Sequence, residues 1–404
     1  MEENLWHTKN WWTSPFNFLP AVRDQFDLPK EVQIHDATLR DGEQTPGIVL
    51  RKEDKVEIAQ MLDDIGVHRI EAGMPAVSEE DAAAIKIISA RLKKAKVFSF
   101  VRAMEKDVEA SAACGVSGII IEVPIGQPKL DLQFKWNWER VLSQSVRAIN
   151  RARELGLHVV FFPYDTTRAR LDDLQNLLTG LMEEARPDSI GVIDTTCCAV
   201  PSAIKFLVSL VRKLTNLPVE IHTHNDIGMA VANEMAAVEA GATVLHTCVN
   251  GIGERTGNAA LEEVVVALKT LYGYEWGFKF EKLQELSILV QRLTGFPMPP
   301  NKPIVGSGNF TRESGIGIEM VYEEPLAMFS LNPTFVGQQP KAVLGKKSGY
   351  NSVLVKMKEL GIACEENREK FEQILQRVKK LSIEKKGLVT DEEFSRLVKE
   401  TMAE

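Results

Sequence analysis

Eight short runs of apolar, β-forming residues recur from residue 32 onward, at a spacing of about 30 residues that matches one strand–helix unit. The runs span residues 32–37, 69–73, 97–102, 118–124, 158–165, 189–196, 219–226 and 243–252. The segments between them carry apolar residues at helical spacing. Repeated strand–helix units without a hairpin signal fit either a doubly wound sheet or a closed barrel. Eight units favour the barrel, so we predict an α/β chain that folds as a (β/α)8 TIM barrel.

This strand–helix pattern changes after residue 272, and the rest of the chain has a different character. We predict a metal-dependent catalytic barrel at residues 31–295, a glycine- and proline-rich linker and flexible subdomain at residues 296–349, and a helical C-terminal subdomain at residues 350–404. Residues 1–30 hold three of the six tryptophans, a density of aromatic rings that is rarely left in water. We therefore predict an aromatic N-terminal arm that packs on the barrel or on a partner subunit.

Charge and cysteine usage narrow the classes of partner. The net charge is −8, and both signs are interspersed, which excludes the basic footprint of a nucleic-acid-binding protein. No apolar run approaches the roughly 18 residues of a membrane-spanning helix. The five cysteines form no C-x-x-C pattern, which is typical of reduced thiols. We expect a cytoplasmic protein without membrane or nucleic-acid partners.

Two histidines at the end of the seventh run are candidate metal ligands. His222 and His224 are two residues apart on a predicted strand, so their side chains point to the same face, with Cα atoms roughly 7 Å apart. Two imidazoles at that spacing can converge on one metal ion. Two polar residues at a strand tip remain the alternative when this motif is taken alone.

The end of the first run supplies an acid and a cation. In a parallel barrel all strand C-termini lie on one face, so Asp41 can add a carboxylate oxygen to His222 and His224. This donor set suits Mg, Mn or Zn. Arg40 beside the metal can bind a carboxylate or a developing enolate oxygen, although a surface ion pair is the ordinary interpretation of Arg40-Asp41 alone. Asn258, after a glycine-rich loop, can either ligate the metal or cap the following helix.

Three long motifs carry a resemblance to a known superfamily. HDATLRDGEQTPG, HTHNDIGMAVANEMAAVEAGA and NGIGERTGNAALEEV resemble the motifs of the HMGL-like, DRE-TIM metallolyases. Within that superfamily the chain is most similar to the 2-isopropylmalate, homocitrate and citramalate synthases, whose C-terminal subdomains match PPNKPIVG and LGKKSG. The resemblance implies a TIM barrel, a divalent metal, and condensation of a 2-keto acid with acetyl-CoA. By position it implies metal ligands Asp41, His222, His224 and Asn258, enolate stabilisation by Arg40, and substrate contacts from Gln44, Glu71 and Thr195.

The sequence departs from the synthase motifs at the positions of their acid/base groups. Tyr164 stands where these synthases have a glutamate, and Gly317 lies where they have a histidine. A tyrosine phenol is a poor base at neutral pH. Either Asp165 or a neighbour takes over the proton transfer, or the chemistry differs. Tyr164 and Asp165 are therefore the candidate acid/base residues beside Arg40.

Three functions follow from these motifs. The first is a homodimeric acyltransferase of amino-acid biosynthesis that condenses an acyl-CoA with a 2-keto acid. The alternative is a carbon–carbon lyase or aldolase that uses the same metal site in reverse. The third is a metal-binding barrel with a structural or regulatory role, which the full set of metal ligands disfavours.

Overall fold

Eight parallel strands form a closed barrel in sequence order, which confirms the predicted (β/α)8 fold. The computed structural model describes residues 4–363 and 367–403. Pairing of β1 with β8, through Ile34 and Leu245, closes the barrel. Every residue of β6 and β7 is buried, as expected for strands covered on both faces. The strands are β1 (Gln33–Asp36), β2 (Arg69–Glu71), β3 (Lys96–Arg102), β4 (Gly118–Pro124), β5 (His158–Tyr164), β6 (Ser189–Asp194), β7 (Val219–Thr223) and β8 (Val244–Thr247).

Helices follow the strands, and local sequence signals set their ends. Ser78 caps α3 by accepting the backbone N–H of Asp81, and acidic residues fill the first turn. At the other end of a helix, Gly66 stops α2 with a φ of 107°, which glycine adopts without strain. The helices of this part of the chain are α1 (Pro20–Arg23), α2 (Lys52–Ile65), α3 (Glu79–Arg91), α4 (Glu105–Ala113), α5 (Trp138–Glu154), α6 (Leu171–Glu184), α7 (Pro201–Thr215), α8 (Ala230–Glu239), α9 (Leu261–Ala267) and α10 (Leu283–Thr294).

The chain divides into two compact units, one of which is the barrel with its helices, residues 15–297. The other contains the described parts of residues 1–14 and 298–404. Its elements are β9 (Thr311–Arg312), α11 (Met320–Glu323), β10 (Lys341–Ala342), α12 (Tyr350–Glu359), α13 (Arg368–Lys385) and α14 (Asp391–Ala403). The last three helices bury a core of their own that includes Phe371, Ile374 and Phe394.

The aromatic N-terminal residues were predicted to form a single arm at residues 1–30, and in the structure they are divided between the two units. In the second unit the Trp11 ring lies 5.5 Å from the Phe335 ring, and the Trp12 backbone N–H donates to the Ser330 carbonyl. Residues 15–30 belong to the barrel unit, where Arg23 donates to the Leu271 carbonyl. The N-terminal aromatic residues are thus shared between the two units.

The helices and cysteines of the described residues bear on two expectations: the absence of a membrane-spanning helix and the presence of reduced thiols. None of their helices is both long and apolar enough to cross a membrane. Cys114, Cys197, Cys198 and Cys248 are free thiols, and Cys364 lies outside the described residues.

Candidate metal centre and substrate cavity

The three predicted metal ligands converge at the C-terminal rim of the barrel. Asp41 begins a short 3-10 turn after β1, His222 lies on β7, and His224 follows one residue after that strand ends. The Asp41 Oδ2 atom lies 3.3 Å from His222 Nε2 and 3.9 Å from His224 Nε2. One ligand atom from each residue lies within 4.8 Å of the other two. The spacing is that of a group able to hold one metal ion.

Electrostatics keeps this group ready to bind a cation. Burial lowers the pKa of His222 and lowers that of His224 to about 4, so both imidazoles are neutral at neutral pH. Burial would raise the pKa of Asp41, but Arg40 and the two imidazoles outweigh it and hold that pKa well below its usual range. Two neutral nitrogens and one carboxylate suit a divalent metal, so the residues fit the metal that the motifs imply.

Asn258 lies beside these ligands and does not cap the next helix. Its backbone forms a bridge to His224, and its Nδ2 donates to Asp41 Oδ1 at 3.1 Å. The N-cap of α9 is Ala260, without a side-chain hydrogen bond. Asn258 Oδ1 is buried without a hydrogen-bond partner. A half-turn of the amide would point this oxygen toward Asp41, where it can serve as a further ligand.

Arg40 forms a fixed positive charge on the cavity wall. Its Nε donates to Glu71 Oε1 at 2.5 Å, its Nη1 donates to Asp41 Oδ2 at 2.9 Å, and its guanidinium lies 4.2 Å from the centre of the Phe100 ring. Burial would lower the pKa of Arg40, but Glu71 and Asp41 outweigh burial and raise it. A buried guanidinium held from two sides can receive an anionic oxygen without reorganising.

A cavity of about 280 Å³ opens beside the metal ligands and Arg40. Its apolar walls include Phe100, Phe162 and Ile193. The polar and charged side chains that line it are Arg40, Asp41, Gln44, Glu122, Lys129, Gln133, Tyr164, Thr195, His222, His224 and Glu254. A small molecule in this cavity would meet both the metal ligands and Arg40.

The structure brings some predicted substrate residues into this cavity and leaves others outside it. Gln44, Thr195 and Tyr164 line the cavity, whereas Glu71 and Asp165 do not. Glu71 is fully buried and positions Arg40. The Asp165 carboxylate accepts two hydrogen bonds from Arg168 Nε, at 2.8 and 3.0 Å, and its backbone N–H donates to Thr195 Oγ1.

Neither candidate acid/base residue has the surroundings of an active base. Burial raises the pKa of the Tyr164 phenol to about 12. Burial also raises the pKa of Asp165, but the ion pair with Arg168 occupies its carboxylate. A role for Asp165 in proton transfer therefore stays a prediction that its placement does not support.

Sequence reasoning passed over three charged residues of the cavity. Glu122, Lys129 and Glu254 all line it. Glu122 had a signal, because it is the only charged residue in the apolar run GIIIEVP. The sequence gave no such signal for Lys129, since a lysine after a strand is usually a solvated surface residue.

Comparison with known proteins agrees with this geometry. The HMGL-like family model matches residues 31–290, and the model for the homocitrate synthase post-HMGL domain matches residues 304–386. A homocitrate synthase of Methanopyrus kandleri is 41% identical over 95% of this chain and 96% of its own length. A 2-isopropylmalate synthase of Methanocaldococcus jannaschii is 39% identical over 94% of this chain and 73% of its own length.

Solved structures with lower sequence identity to this chain have the same fold. The HMG-CoA lyase of Bacillus subtilis superposes with a TM-score of 0.60 at 20% identity, covering 67% of this chain and 96% of the lyase. That level of identity supports the barrel alone. The synthase relatives match along nearly the whole chain, and both family models match in sequence order. The chain therefore belongs to the HMGL-like family, with its synthase members as the relatives that extend over both units.

Proposed function

We propose that this chain is an acyltransferase that condenses an acyl-CoA, with acetyl-CoA as the expected donor, with a 2-keto acid. The observation that carries the proposal is the cavity in which Arg40 and the three metal ligands face one small volume. The synthase names of relatives about 40% identical support the direction of the reaction. The lyase alternative has less support, because the HMG-CoA lyase is only 20% identical and shows the fold alone.

Several polar groups of the cavity have a place in this reaction. A divalent ion held by Asp41, His222 and His224, with Asn258 as a further ligand, would polarise the keto group and hold the keto acid in place. Arg40 presents its guanidinium to the enolate oxygen that forms when the acyl group loses a proton. Thr195 and Gln44 offer hydrogen bonds that orient the keto acid. The aromatic walls restrict water around the reacting atoms.

We further propose that the keto acid carries a second carboxylate, which Lys129 receives. Lys129 lines the cavity and lies 5.6 Å from the centre of the Tyr164 ring. Its Nζ donates to Gln133 Oε1 at 2.8 Å, a neutral acceptor, and no carboxylate among the described residues pairs with it. A cation without a carboxylate partner in a small cavity favours an anionic group on the ligand.

The direct test offers acetyl-CoA and a panel of 2-keto acids to the purified protein with Mg, Mn or Zn. The panel contains pyruvate, glyoxylate, oxaloacetate, 2-ketoisovalerate and 2-ketoglutarate, and release of free thiol is followed while mass spectrometry identifies the product. We expect release with a dicarboxylic member and none after the metal is removed with a chelator. Lack of thiol release with every member would contradict the proposed reaction. Sedimentation of the same protein would check the predicted homodimer.

A further inference from the structure

Glu122 is a carboxylate in the cavity to which no motif assigns a role. It lies near the end of β4, where its backbone is in register with Phe162 of β5, while Pro124 is in register with Tyr164. Side chains two residues apart on a strand share a face, so Glu122 and Pro124 both point into the cavity, next to Phe162 and Tyr164. Glu122 thus lies one layer below the phenol, on the neighbouring strand.

Glu122 also lacks a fixed partner. No hydrogen bond or ion pair joins its carboxylate to another side chain in the part of the chain that the structure describes. The charged and titratable groups that face it from neighbouring elements are Arg40 and Asp41 after β1, Glu71 on β2, Tyr164 on β5 and Lys129 after β4. The carboxylate is therefore free to contact a ligand in the cavity.

The other carboxylates near the cavity are engaged. Asp41 accepts hydrogen bonds from Arg40 and Asn258 and faces the two histidines. Glu254 pairs with Arg255 Nη1 at 2.8 Å. Asp165 lies outside the cavity and pairs with Arg168. Glu122 is the one cavity carboxylate of the described residues that is held by none of these contacts.

We propose that Glu122 is the catalytic base that removes a proton from the acyl group of the acyl-CoA, in place of the strand-five glutamate that Tyr164 replaces. The inference rests on the proposed condensation. Its geometric support is that Glu122 and Tyr164 lie on neighbouring strands in one cavity wall, and that Arg40 and the metal ligands line the same cavity. A base in that wall acts on the same small volume as a base at position 164.

The step conserves atoms and electrons. A C–H bond of the acyl methyl group breaks, its proton forms an O–H bond with the Glu122 carboxylate, and the electron pair stays on the acyl group as an enolate next to Arg40. That pair forms the new C–C bond with the keto carbon, whose π electrons move to the keto oxygen. This oxygen takes up the proton that Glu122 holds, which restores the Glu122 carboxylate. Water then displaces the coenzyme A thiol from the thioester, which leaves a carboxylic acid and the free thiol.

The pKa of the Glu122 carboxylate suits a catalytic base. Burial raises the pKa of Glu122 to about 7, although Arg40 and Lys129 oppose the rise. A base is most effective when its pKa lies near the working pH, because the carboxylate is then both populated and basic. Tyr164, with a pKa of about 12, remains protonated there.

The experiment compares wild type with Glu122→Gln, Glu122→Asp and the matched surface control Glu139→Gln. Thiol release from acetyl-CoA is measured from pH 5.5 to 8.5, with metal content and keto-acid affinity measured on the same preparations. For Glu122→Gln we expect a fall in kcat of about 100-fold or more, with metal content and keto-acid affinity unchanged. We also expect loss of the acidic limb of the pH profile, partial activity in Glu122→Asp, and wild-type behaviour in Glu139→Gln, whose side chain is exposed.

The outcomes separate two failures. If wild type releases no thiol with any keto acid, the proposed condensation fails, and the base assignment with it. If wild type is active but Glu122→Gln keeps its kcat and its acidic limb, Glu122 is not the base while the condensation stands. A Glu122→Gln protein that keeps kcat and loses only keto-acid affinity would assign Glu122 to binding and would equally overturn the proposal.

Discussion

At the scale of single residues, His224 shows how burial prepares a ligand and what it costs the fold. Its pKa falls from 6.5 to about 4, so the unfolded chain takes up a proton on this histidine between pH 6.5 and 4 while the folded chain does not. The contribution of this imidazole to stability is therefore complete above pH 6.5 and is lost as the pH falls through that window. A shift of this size corresponds to about 3 kcal/mol.

We therefore expect the metal-free protein to lose about 3 kcal/mol of unfolding free energy between pH 6.5 and 4 through His224. Denaturant unfolding in the presence of a chelator, at pH 7 and pH 4.5, measures the loss in wild type and in His224→Gln. The variant should show a smaller loss, since it carries no titrating group at this position. Equal losses in both proteins would mean that His224 is not held neutral by the fold.

Lys129 is the residue that the substrate class depends on. For Lys129→Met we expect the KM of a dicarboxylic keto acid to rise about 10- to 150-fold, the range for loss of a charged hydrogen bond, with little change in kcat. The KM of pyruvate should stay as in wild type, because pyruvate has no second carboxylate. Lys106→Met, an exposed lysine of α4, is the control. An equal rise in KM for pyruvate would show that Lys129 does not recognise the second carboxylate.

At the scale of secondary-structure elements, the loops after the strands carry the site, and they are where sequence patterns fell short. The seventh run was predicted to end at residue 226, but β7 ends at Thr223. The eighth was predicted to reach residue 252, but β8 ends at Thr247 and a 3-10 turn follows. Past the end of β8, Cys248 and Val249 continue the apolar run, so composition gave no stop there, whereas β7 is followed by the turn-forming residues Asn225 and Asp226. The chain turns there because Asn225 and Asn258 donate their backbone N–H groups to Gly257 and Gly251.

Gly257 is the residue that this turn requires. It has a φ of +82°, and a Cβ atom there would collide with the Gly251 carbonyl oxygen. Gly228 has a similar φ of +79°, but a Cβ atom there would have nothing within 4 Å. A substitution at Gly228 therefore introduces backbone strain without a collision. We expect Gly257→Ala to displace Asn258 and weaken metal binding on the order of 10-fold or more, by analogy with loss of groups that orient metal ligands.

Gly228→Ala should cost only the backbone strain, about 1 kcal/mol, and leave metal affinity near that of wild type. Competition with a metal-binding dye gives the two affinities, and thermal unfolding gives the two stabilities. Similar metal affinities in Gly257→Ala and Gly228→Ala would mean that the loop tolerates the collision and that Asn258 does not depend on it.

At the scale of the whole molecule, regular repetition was predictable and long-range assembly was not. Eight β-rich runs at one spacing were enough to predict the barrel, because each strand–helix unit has a recognisable pattern in its own local sequence. The motifs at the ends of strands 1, 7 and 8 also placed Asp41, His222, His224 and Asn258 at one rim, since parallel topology brings strand ends together. The position of Glu122 in the cavity depended on the register of β4 against β5, which no local pattern encodes. The sharing of N-terminal aromatic residues between two units likewise depends on contacts distant in sequence.

A buried polar layer inside the barrel joins strands from opposite parts of the sequence. Glu220 of β7 is fully buried and accepts hydrogen bonds from Arg69 Nη1 of β2 at 2.8 Å and from Ser189 Oγ of β6 at 2.6 Å. It also lies 2.8 Å from His246 Nε2 of β8. Burial would raise the pKa of Glu220, but His246 and Arg69 outweigh it and lower that pKa, so the carboxylate is charged. One carboxylate thus links three other strands of the closed barrel.

Removal of this charge should destabilise the whole barrel, because it leaves the buried Arg69 cation without its carboxylate partner. We expect Glu220→Gln to lose about 3–5 kcal/mol of unfolding free energy, as for a broken buried ion pair. The exposed pair of Arg151 and Glu154 provides the control, and Glu154→Gln should change stability by less than about 1 kcal/mol. Adding Arg69→Met to Glu220→Gln should recover part of the loss, since the unpaired cation is then gone. Strictly additive losses in the double variant, measured by denaturant unfolding, would show that the two residues stabilise the barrel independently and that its interior does not rely on their pairing.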